Sequence, residues 1–249
     1  LRFCGQGMLF HLPAVAIGRW FGKNKGKATS VSVIGFSVGE ALFPIIIASI
    51  ITTVGWRFSW FFGVIILFIV LPILLKLLNE NRLPQSKKVQ NLDQVGLNNK
   101  HWTRNEVLKF WLFWSVVIPL LITPIFSTAF FFYQVHLIEI KNWEMVKYFS
   151  IFPFYTISSV LSLLLSGWLI DKFGVAKILP YFLLPQALGF VIFSLGSSYF
   201  SIFFGFIFLG ITQGTAMTIG GTFWPNYFGT KNLGSIRSLS TSSMVFGTA

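Results

Sequence analysis

Residues 6–22 read QGMLFHLPAVAIGRWFG, and residues 213–229 read QGTAMTIGGTFWPNYFG. Each segment begins with Gln-Gly and ends with an aromatic residue followed by Phe-Gly, at the same spacing. Further along, Gly26 precedes Gly39 by 13 residues, and Gly234 precedes Gly247 by 13 residues. A signature that recurs in this way indicates a fold built from two related halves.

The composition is that of a membrane protein. Hydrophobic residues make up 54% of the 249 residues and charged residues 10%, with 30 Phe and 9 Trp. A soluble domain carries about 25% charged residues. The long apolar segments are continuous, which predicts an all-α integral membrane protein rather than a barrel. We predict eight spans, with a turn at 194–198 between the sixth and the seventh: 1–18, 28–53, 58–77, 109–135, 147–170, 176–195, 200–224 and 236–249.

The distribution of Lys and Arg predicts the orientation of the spans. The odd-numbered connections carry 15 of these residues and the even-numbered connections carry 3. Positive residues accumulate on the cytoplasmic side, so we expect the odd connections there. The net charge of +12 then reflects topology, and no single basic patch suggests a nucleic-acid partner. The single Cys4 excludes an internal disulfide.

The repeat predicts how the halves are arranged. Its copies lie on the first and seventh spans, six crossings apart, so they share one orientation, as in transporters with parallel repeats. We expect two pseudo-symmetric six-helix halves, of which this chain holds eight of the twelve helices. Residues 1–77 are then the last three helices of the N-terminal half, and 109–249 the first five of the C-terminal half, the last one truncated. Residues 78–108 form a cytoplasmic linker, a solvated loop with a short surface helix from Thr103.

Several segments resemble the major facilitator superfamily. Residues 167–177, GWLIDKFGVAK, resemble its loop motif, Gly-x-x-x-Asp-Arg/Lys-x-Gly-x-x-Arg/Lys. Residues 19–28, 55–57 and 223–237 resemble its turns between helices four and five, five and six, and ten and eleven. The resemblance covers the whole chain in order, as helices 4–11 of that fold. The nearest members are bacterial monocarboxylate and oxalate–formate permeases, which implies a location in the bacterial plasma membrane.

The loop motif is the candidate gate. It consists of Gly167, Asp171, Lys172, Gly174 and Lys177. The glycines remove side chains where two helices and a turn converge. The resemblance implies that Asp171 faces the start of the helix after residues 25–27 and holds one state closed; alternatively it is a helix cap beside Lys172.

Two further glycine pairs have the Gly-x-x-x-Gly spacing: Gly35 with Gly39, and Gly210 with Gly214. This spacing predicts close helix packing in lipid. A rocking or sliding surface is the functional alternative.

Polar residues within spans are the candidate substrate ligands, because they are costly in lipid. They are Gln6, Gln213, Arg2, Thr123 and Ser127. The two repeat-related glutamines suit a polar solute or a hydrogen bond between helices. Arg2 attracts an anion or extends to the outer face. Thr123 and Ser127 contact solute or bond to their own backbone.

Proton coupling has two candidate residues, Glu40 and His11. Glu40 lies about 18 Å into the second span, where a carboxylate is either paired or protonated. Arg2 and His11 are its candidate partners, and a purely structural hydrogen-bonding role is the alternative. At the outer end of the fourth span, Tyr133, Gln134 and His136 are candidates for an outer vestibule, or belong with Trp143 to an interfacial aromatic belt.

These observations favour a secondary active transporter of a small polar solute, an organic anion, moved by alternating access with possible proton coupling. Its partners are the lipid bilayer, the solute and protons. We expect no cofactor and no metal, because few His, Cys, Asp and Glu residues converge. The alternatives are a facilitative or exchange carrier of a neutral solute, a membrane-embedded enzyme, and a non-transporting sensor.

Overall fold

The computed structural model describes residues 25–78, 95–229 and 231–248, with side chains described from residue 35 and, in the first range, up to residue 76. Every regular element in these ranges is a helix, which confirms the all-α class. The helices are α1 Lys25–Thr53, α2 Trp56–Leu78, α3 Arg104–Lys109, α4 Trp111–Ile140, α5 Met145–Ser150, α6 Phe152–Phe173, α7 Val175–Ile178, α8 Leu184–Leu195, α9 Tyr199–Phe228 and α10 Leu233–Gly247, with a 3-10 turn at Leu97–Asn99.

Five segments within the described ranges are long and apolar enough to cross a membrane. They are Gly35–Thr53, Trp56–Lys76, Trp111–Ile140, Met145–Phe173 and Tyr199–Phe228. They correspond to five of the eight predicted spans, and the chain is a multi-pass membrane protein. The predicted spans 176–195 and 236–249 fall outside this set, because α8 has only 12 residues and α10, which is also rich in Ser and Thr, has only 15. The first predicted span lies outside the described residues.

Two predicted spans are interrupted. Span 147–170 is divided at Ile151 into α5 and α6, and span 176–195 is divided into α7 and α8 by a turn before Leu184. In both cases a proline, Pro153 or Pro185, occupies the first turn of the second helix. Proline has no backbone N–H and clashes with the preceding turn, so it starts helices more readily than it continues them. These two prolines therefore begin helices rather than kink them.

The described residues group into two compact units, one before and one after residue 91. In the first unit α1 packs against α2, and Gly55 links them with a φ of +96°, which favours glycine. Most apolar side chains of α2 are exposed, as expected for a lipid-facing helix. The assignment of these units to the halves of a larger protein stays a prediction.

In the second unit α9 lies between α6 and α8, and its closest neighbour is α6. A Cβ atom added at Gly214 would lie 2.8 Å from the backbone nitrogen of Leu163 and closer still to the carbonyl of Ser159. At Gly210 it would collide with the carbonyl of Tyr155. The predicted close approach is thus confirmed for this pair. By contrast, a Cβ atom added at Gly35 would meet no described atom within 4 Å outside the neighbouring backbone of its own helix.

The linker is packed where the structure describes it. Trp102 is buried, its backbone N–H donates to the carbonyl of Phe228 at 3.4 Å, and its ring meets the ring of Phe228 edge-on. Asn232 donates to the carbonyl of Trp102 at 2.9 Å. A Cβ at Gly96 would lie 2.6 Å from the backbone of Phe228. The expectation of a solvated loop is therefore wrong for the side chains of Trp102 and Val107, which extend the core at the end of α9, whereas Val95 and Leu97 are exposed.

The predicted short helix after Thr103 is confirmed as α3. The backbone N–H and the hydroxyl of Thr103 both donate to Glu106 Oε2 at 2.9 Å. The Lys100 ammonium lies 2.6 Å from Glu106 Oε1. The hydrogen bond from Lys100, together with those from Thr103, lowers the pKa of the Glu106 carboxyl to about 2. Val107, on the opposite face of α3, is fully buried, so the helix is fixed to the second unit.

Candidate functional site

The membrane interior of the second unit is polar without being charged. Residues 110–135, 148–170 and 178–230 contain no Asp, Glu, Lys or Arg. Of the predicted ligands, Thr123 on α4 is buried, whereas Ser127 on α4 and Gln213 on α9 are half-buried. Their partners by prediction, Gln6 and Arg2, lie outside the described residues. The described part of the site therefore offers amide and hydroxyl groups only.

A residue that the sequence reasoning missed lies beside Thr123. Gln186 on α8 is 3% exposed, and its Nε2 donates to the backbone carbonyl of Thr123 at 3.4 Å. Thr123 Oγ1 and Gln186 Oε1 are both buried, and neither has a hydrogen-bond partner among the described residues. A signal was present in the sequence, since Gln186 is one of two glutamines in the long charge-free stretch.

A second polar feature, also missed, joins α6 to α9. Ser162 Oγ donates to the carbonyl of Ile211 at 2.7 Å and lies 2.9 Å from Thr215 Oγ1. Ser166 Oγ donates to Thr218 Oγ1 at 2.8 Å. The serines recur at helical spacing on the face of α6 that meets Gly214, so this ladder of hydroxyls holds the two helices together. Its bonds are satisfied, and its role is packing.

The coupling candidate Glu40 is half-buried on α1, within the Gly35–Thr53 span. Within the described ranges no cation forms an ion pair with it. The proposed partners Arg2 and His11 lie outside the described residues. Glu40 thus lies in a helical segment that is long and apolar enough to cross a membrane, and its depth and its pairing stay predictions.

The gating motif occupies the junction of α6 and α7. Gly174 ends α6 with a φ of +83°, its N–H donates to the carbonyl of Ile170 at 2.8 Å, and α7 begins at Val175. Asp171 is exposed in the last turn of α6, where the helix dipole disfavours negative charge by about 0.3–1 kcal/mol. The alternative that Asp171 caps a helix is wrong, because the residue before α7 is Gly174 and it makes no side-chain cap bond.

The two lysines of the motif contact aromatic rings. Lys172 Nζ lies 5.0 Å from the ring centre of Trp168 and 5.3 Å from that of Phe173, and Lys177 Nζ lies 5.9 Å from the latter. Among the described residues neither lysine forms an ion pair with Asp171. A cation over an aromatic face at the membrane rim is a stable arrangement, and it leaves the Asp171 carboxylate available to another element.

The vestibule candidates do not line the groove that lies nearest to them among the described residues. Tyr133 and His136 are exposed, His136 Nδ1 is 3.9 Å from Glu139 Oε2, and Gln134 is half-buried. The nearby groove, of about 570 Å³, is lined instead by a different set: Val135, Ile138, Glu139, Asn142, Trp143 and Met145. The structure therefore does not gather the predicted three residues around this groove.

Trp143 is also not a belt residue. It is buried, its Nε1 donates to the carbonyl of Ser197 at 2.7 Å, and its ring stacks on Tyr148. The adjacent Lys141 donates to the carbonyls of Ser194 and Gly196, both at 2.8 Å. These bonds confirm the predicted turn between α8 and α9, and they tie it to the end of α4.

Comparison with known proteins identifies one family. The model described as Major Facilitator Superfamily matches residues 3–249. No curated protein and no solved structure shows a significant match to the chain.

Proposed function

Because the chain belongs to the Major Facilitator Superfamily, and is therefore a multi-pass membrane transporter, we propose that it moves a small polar solute, an organic anion, by alternating access coupled to protons. The observation that carries this proposal is Glu40, an acidic group within an otherwise apolar span. A carboxylate in that setting is retained for function more often than for packing. The predicted resemblance to monocarboxylate and oxalate–formate permeases supports an anionic solute.

In this proposal the solute contacts the candidate ligands. Gln213, Thr123 and Ser127 supply neutral hydrogen-bonding groups from the second unit. Arg2 supplies the positive charge that an anion requires, and Gln6 is the repeat-related counterpart of Gln213. Selectivity then comes from one cation, Arg2, together with several neutral donors and acceptors. We expect few charged ligands, because an unpaired charge in a membrane is costly.

The gate is Asp171. Its position at the end of α6 is unfavourable for the helix dipole, so a partner with positive potential is needed to offset that cost. The start of α1, which residues 25–27 form, is the proposed partner in one state of the cycle, with Lys172 and Lys177 over aromatic rings.

The decisive experiment uses the full-length protein in proteoliposomes. Small monocarboxylates, dicarboxylates and neutral polar solutes are screened by thermal shift, and hits are tested for uptake with and without an inward proton gradient. We expect uptake of an organic anion that requires the gradient and is lost in Glu40→Gln. The matched control is Glu144→Gln, because Glu144 is exposed and paired with Lys147 at 2.6 Å. Uptake that ignores both the gradient and Glu40→Gln would refute proton coupling through this residue.

A second candidate function, facilitated transport or exchange of a neutral solute, is supported by the absence of Asp, Glu, Lys and Arg from residues 110–135, 148–170 and 178–230. The same screen separates the two. A neutral solute that shows counterflow, without a response to membrane potential or to Arg2→Gln, would establish the second function in place of the first.

The orientation is part of the proposal. The excess of Lys and Arg in the odd connections supports a cytoplasmic location for residues 78–108 in a bacterial plasma membrane. In a background from which every native cysteine, Cys4 included, has been replaced by serine, Lys88→Cys provides a unique label in that connection. We expect a membrane-impermeant maleimide to react with it in inside-out vesicles only, and reaction in intact cells would reverse the assignment.

A further inference from the structure

The pair formed by Thr123 and Gln186 is unusual in its hydrogen bonding. Both side chains are 3% exposed, yet Thr123 Oγ1 and Gln186 Oε1 have no partner among the described residues. A buried polar atom without a partner destabilises the fold, and in most proteins an ordered water removes that cost. Two such atoms on adjacent side chains therefore indicate that a ligand lies between α4 and α8.

Several threonine hydroxyls in the described helices donate to the carbonyl four residues earlier, as Thr215 does to Ile211 at 2.8 Å and Thr222 does to Thr218 at 2.8 Å, whereas Thr156 Oγ1 on α6 is buried without a partner, as Thr123 Oγ1 is. No such bond is made by Thr123, whose helical acceptor would be the carbonyl of Pro119. Its hydroxyl is thus left for a group outside its own helix.

The two side chains offer both donors and acceptors. Gln186 Nε2 carries two N–H groups, of which one donates to the Thr123 carbonyl, and the Thr123 hydroxyl can donate as well as accept. Gln186 Oε1 can only accept, so the occupant must be able to donate to it and also to bond to a hydroxyl. Pro124, the next residue on α4, has no N–H, so the helical hydrogen-bond ladder is interrupted beside this pair.

We propose that one water molecule binds between α4 and α8, donating to Gln186 Oε1 and bonding to Thr123 Oγ1. Two to four polar partners are what a buried water requires. A cation is disfavoured, because residues 110–135 and 178–230, which contain Thr123 and Gln186, include no charged residue to offset its desolvation. The proposed water lies beside Pro124 and can exchange with other water molecules. Helix α4 can therefore bend at Pro124 without leaving Thr123 or Gln186 without a hydrogen-bond partner.

The first test is a double-mutant cycle on the full-length protein, using Thr123→Val and Gln186→Leu. Each single change leaves the remaining atom without its bridge, whereas the double change removes both. If the two residues acted independently, the fold-changes of the two single variants in the unfolding equilibrium constant would multiply. We expect the double variant, measured in mixed micelles, to have an unfolding equilibrium constant about fivefold smaller than that product. The direct bond from Gln186 Nε2 to the Thr123 carbonyl is lost in both Gln186 backgrounds, so the cycle cancels it.

The control cycle pairs Gln186→Leu with Thr222→Val, because the hydroxyl of Thr222 bonds within its own helix. We expect those two effects to multiply. If the fold-changes of Thr123→Val and Gln186→Leu also multiplied, the proposal would be overturned, because no ligand would then join the two atoms.

Two further measurements identify the occupant. A structure at a resolution that shows ordered water should contain density within hydrogen-bond distance of both atoms, and a direct bond between the two side chains would overturn the proposal. Replacing choline chloride with NaCl at equal ionic strength should not shift the melting temperature. A sodium-specific rise that is lost in Thr123→Val would show a cation in place of water. None of these readouts requires transport, so they stand apart from the test of Glu40.

Discussion

Gly214 sets the distance between α6 and α9, and Gly214→Ala should separate them. The new Cβ would lie 2.8 Å from the Leu163 backbone nitrogen, and ordinary contacts begin at 3.4 Å. The helices must therefore move apart by about 0.6 Å or more, because both colliding atoms of α6 belong to its backbone.

The cost follows from the bonds that this movement stretches. Overpacking of this kind costs about 1–3 kcal/mol. The hydrogen bonds of Ser162 and Ser166 to α9, at 2.7–2.9 Å, would reach the limit of useful length, and each is worth about 0.6 kcal/mol in a membrane. The better helix propensity of alanine returns up to about 1 kcal/mol. The net loss is about 2–3 kcal/mol, equivalent to a fall of roughly 4–12 °C in melting temperature.

The assay is tryptophan fluorescence during heating of the full-length protein in detergent. Gly220→Ala is the matched control, because Gly220 lies on the same helix and an added Cβ meets nothing within 4 Å. We expect that control to melt at the original temperature or slightly above it. A Gly214→Ala variant that melts within about 2 °C of the original protein would refute the claim that this glycine sets the helix spacing.

Three further changes test the ends of the second unit. Trp102→Ala should cost about 3–5 kcal/mol and speed proteolysis of residues 95–103, whereas Trp111→Ala, at an exposed position, should change the melting temperature little. Because the pKa of the Glu106 carboxyl is lowered, its stabilising effect is complete above the ordinary pKa of 4.5 and is lost as pH falls towards 2. Hydrogen exchange of residues 103–109 should therefore accelerate as pH falls over that window. The Glu106→Gln variant should not show this pH dependence. Lys141→Met should lower the free energy of unfolding by about 1–3 kcal/mol, because two carbonyls lose a charged donor. Lys147→Met, which breaks an exposed ion pair, should lower it by less than about 1 kcal/mol. Chemical unfolding of the two variants measures both effects.

Much of the fold follows from local pattern. Continuous apolar segments predicted the helices, and the described ranges contain helices wherever spans were expected. The Thr103–Glu106 spacing is a helix-start signal, and α3 begins there. The motif at 167–177 and the related turns predicted the family that the comparison identifies. All of these depend on residues close together in the chain, so one sequence is enough to recognise them.

The interruptions were harder to predict. Pro153 and Pro185 lie in apolar runs that hydropathy alone treats as continuous. Whether such a proline kinks a helix or begins a new one depends on how the freed carbonyls find partners in the surrounding helices, which composition does not encode.

Long-range packing accounts for the features that sequence reasoning missed. Gln186 and Thr123 are separated by 63 residues, and only the packing of α8 against α4 makes them neighbours. The burial of Trp102 under the end of α9, and the capture of two carbonyls by Lys141, likewise join segments distant in the chain. Hydropathy and spacing therefore determine that this protein is a bundle of membrane helices of a known family. Which polar atoms meet inside the bundle is determined by the angles and depths at which the helices pack, because a hydrogen bond requires two groups within about 3 Å and no single segment contains both.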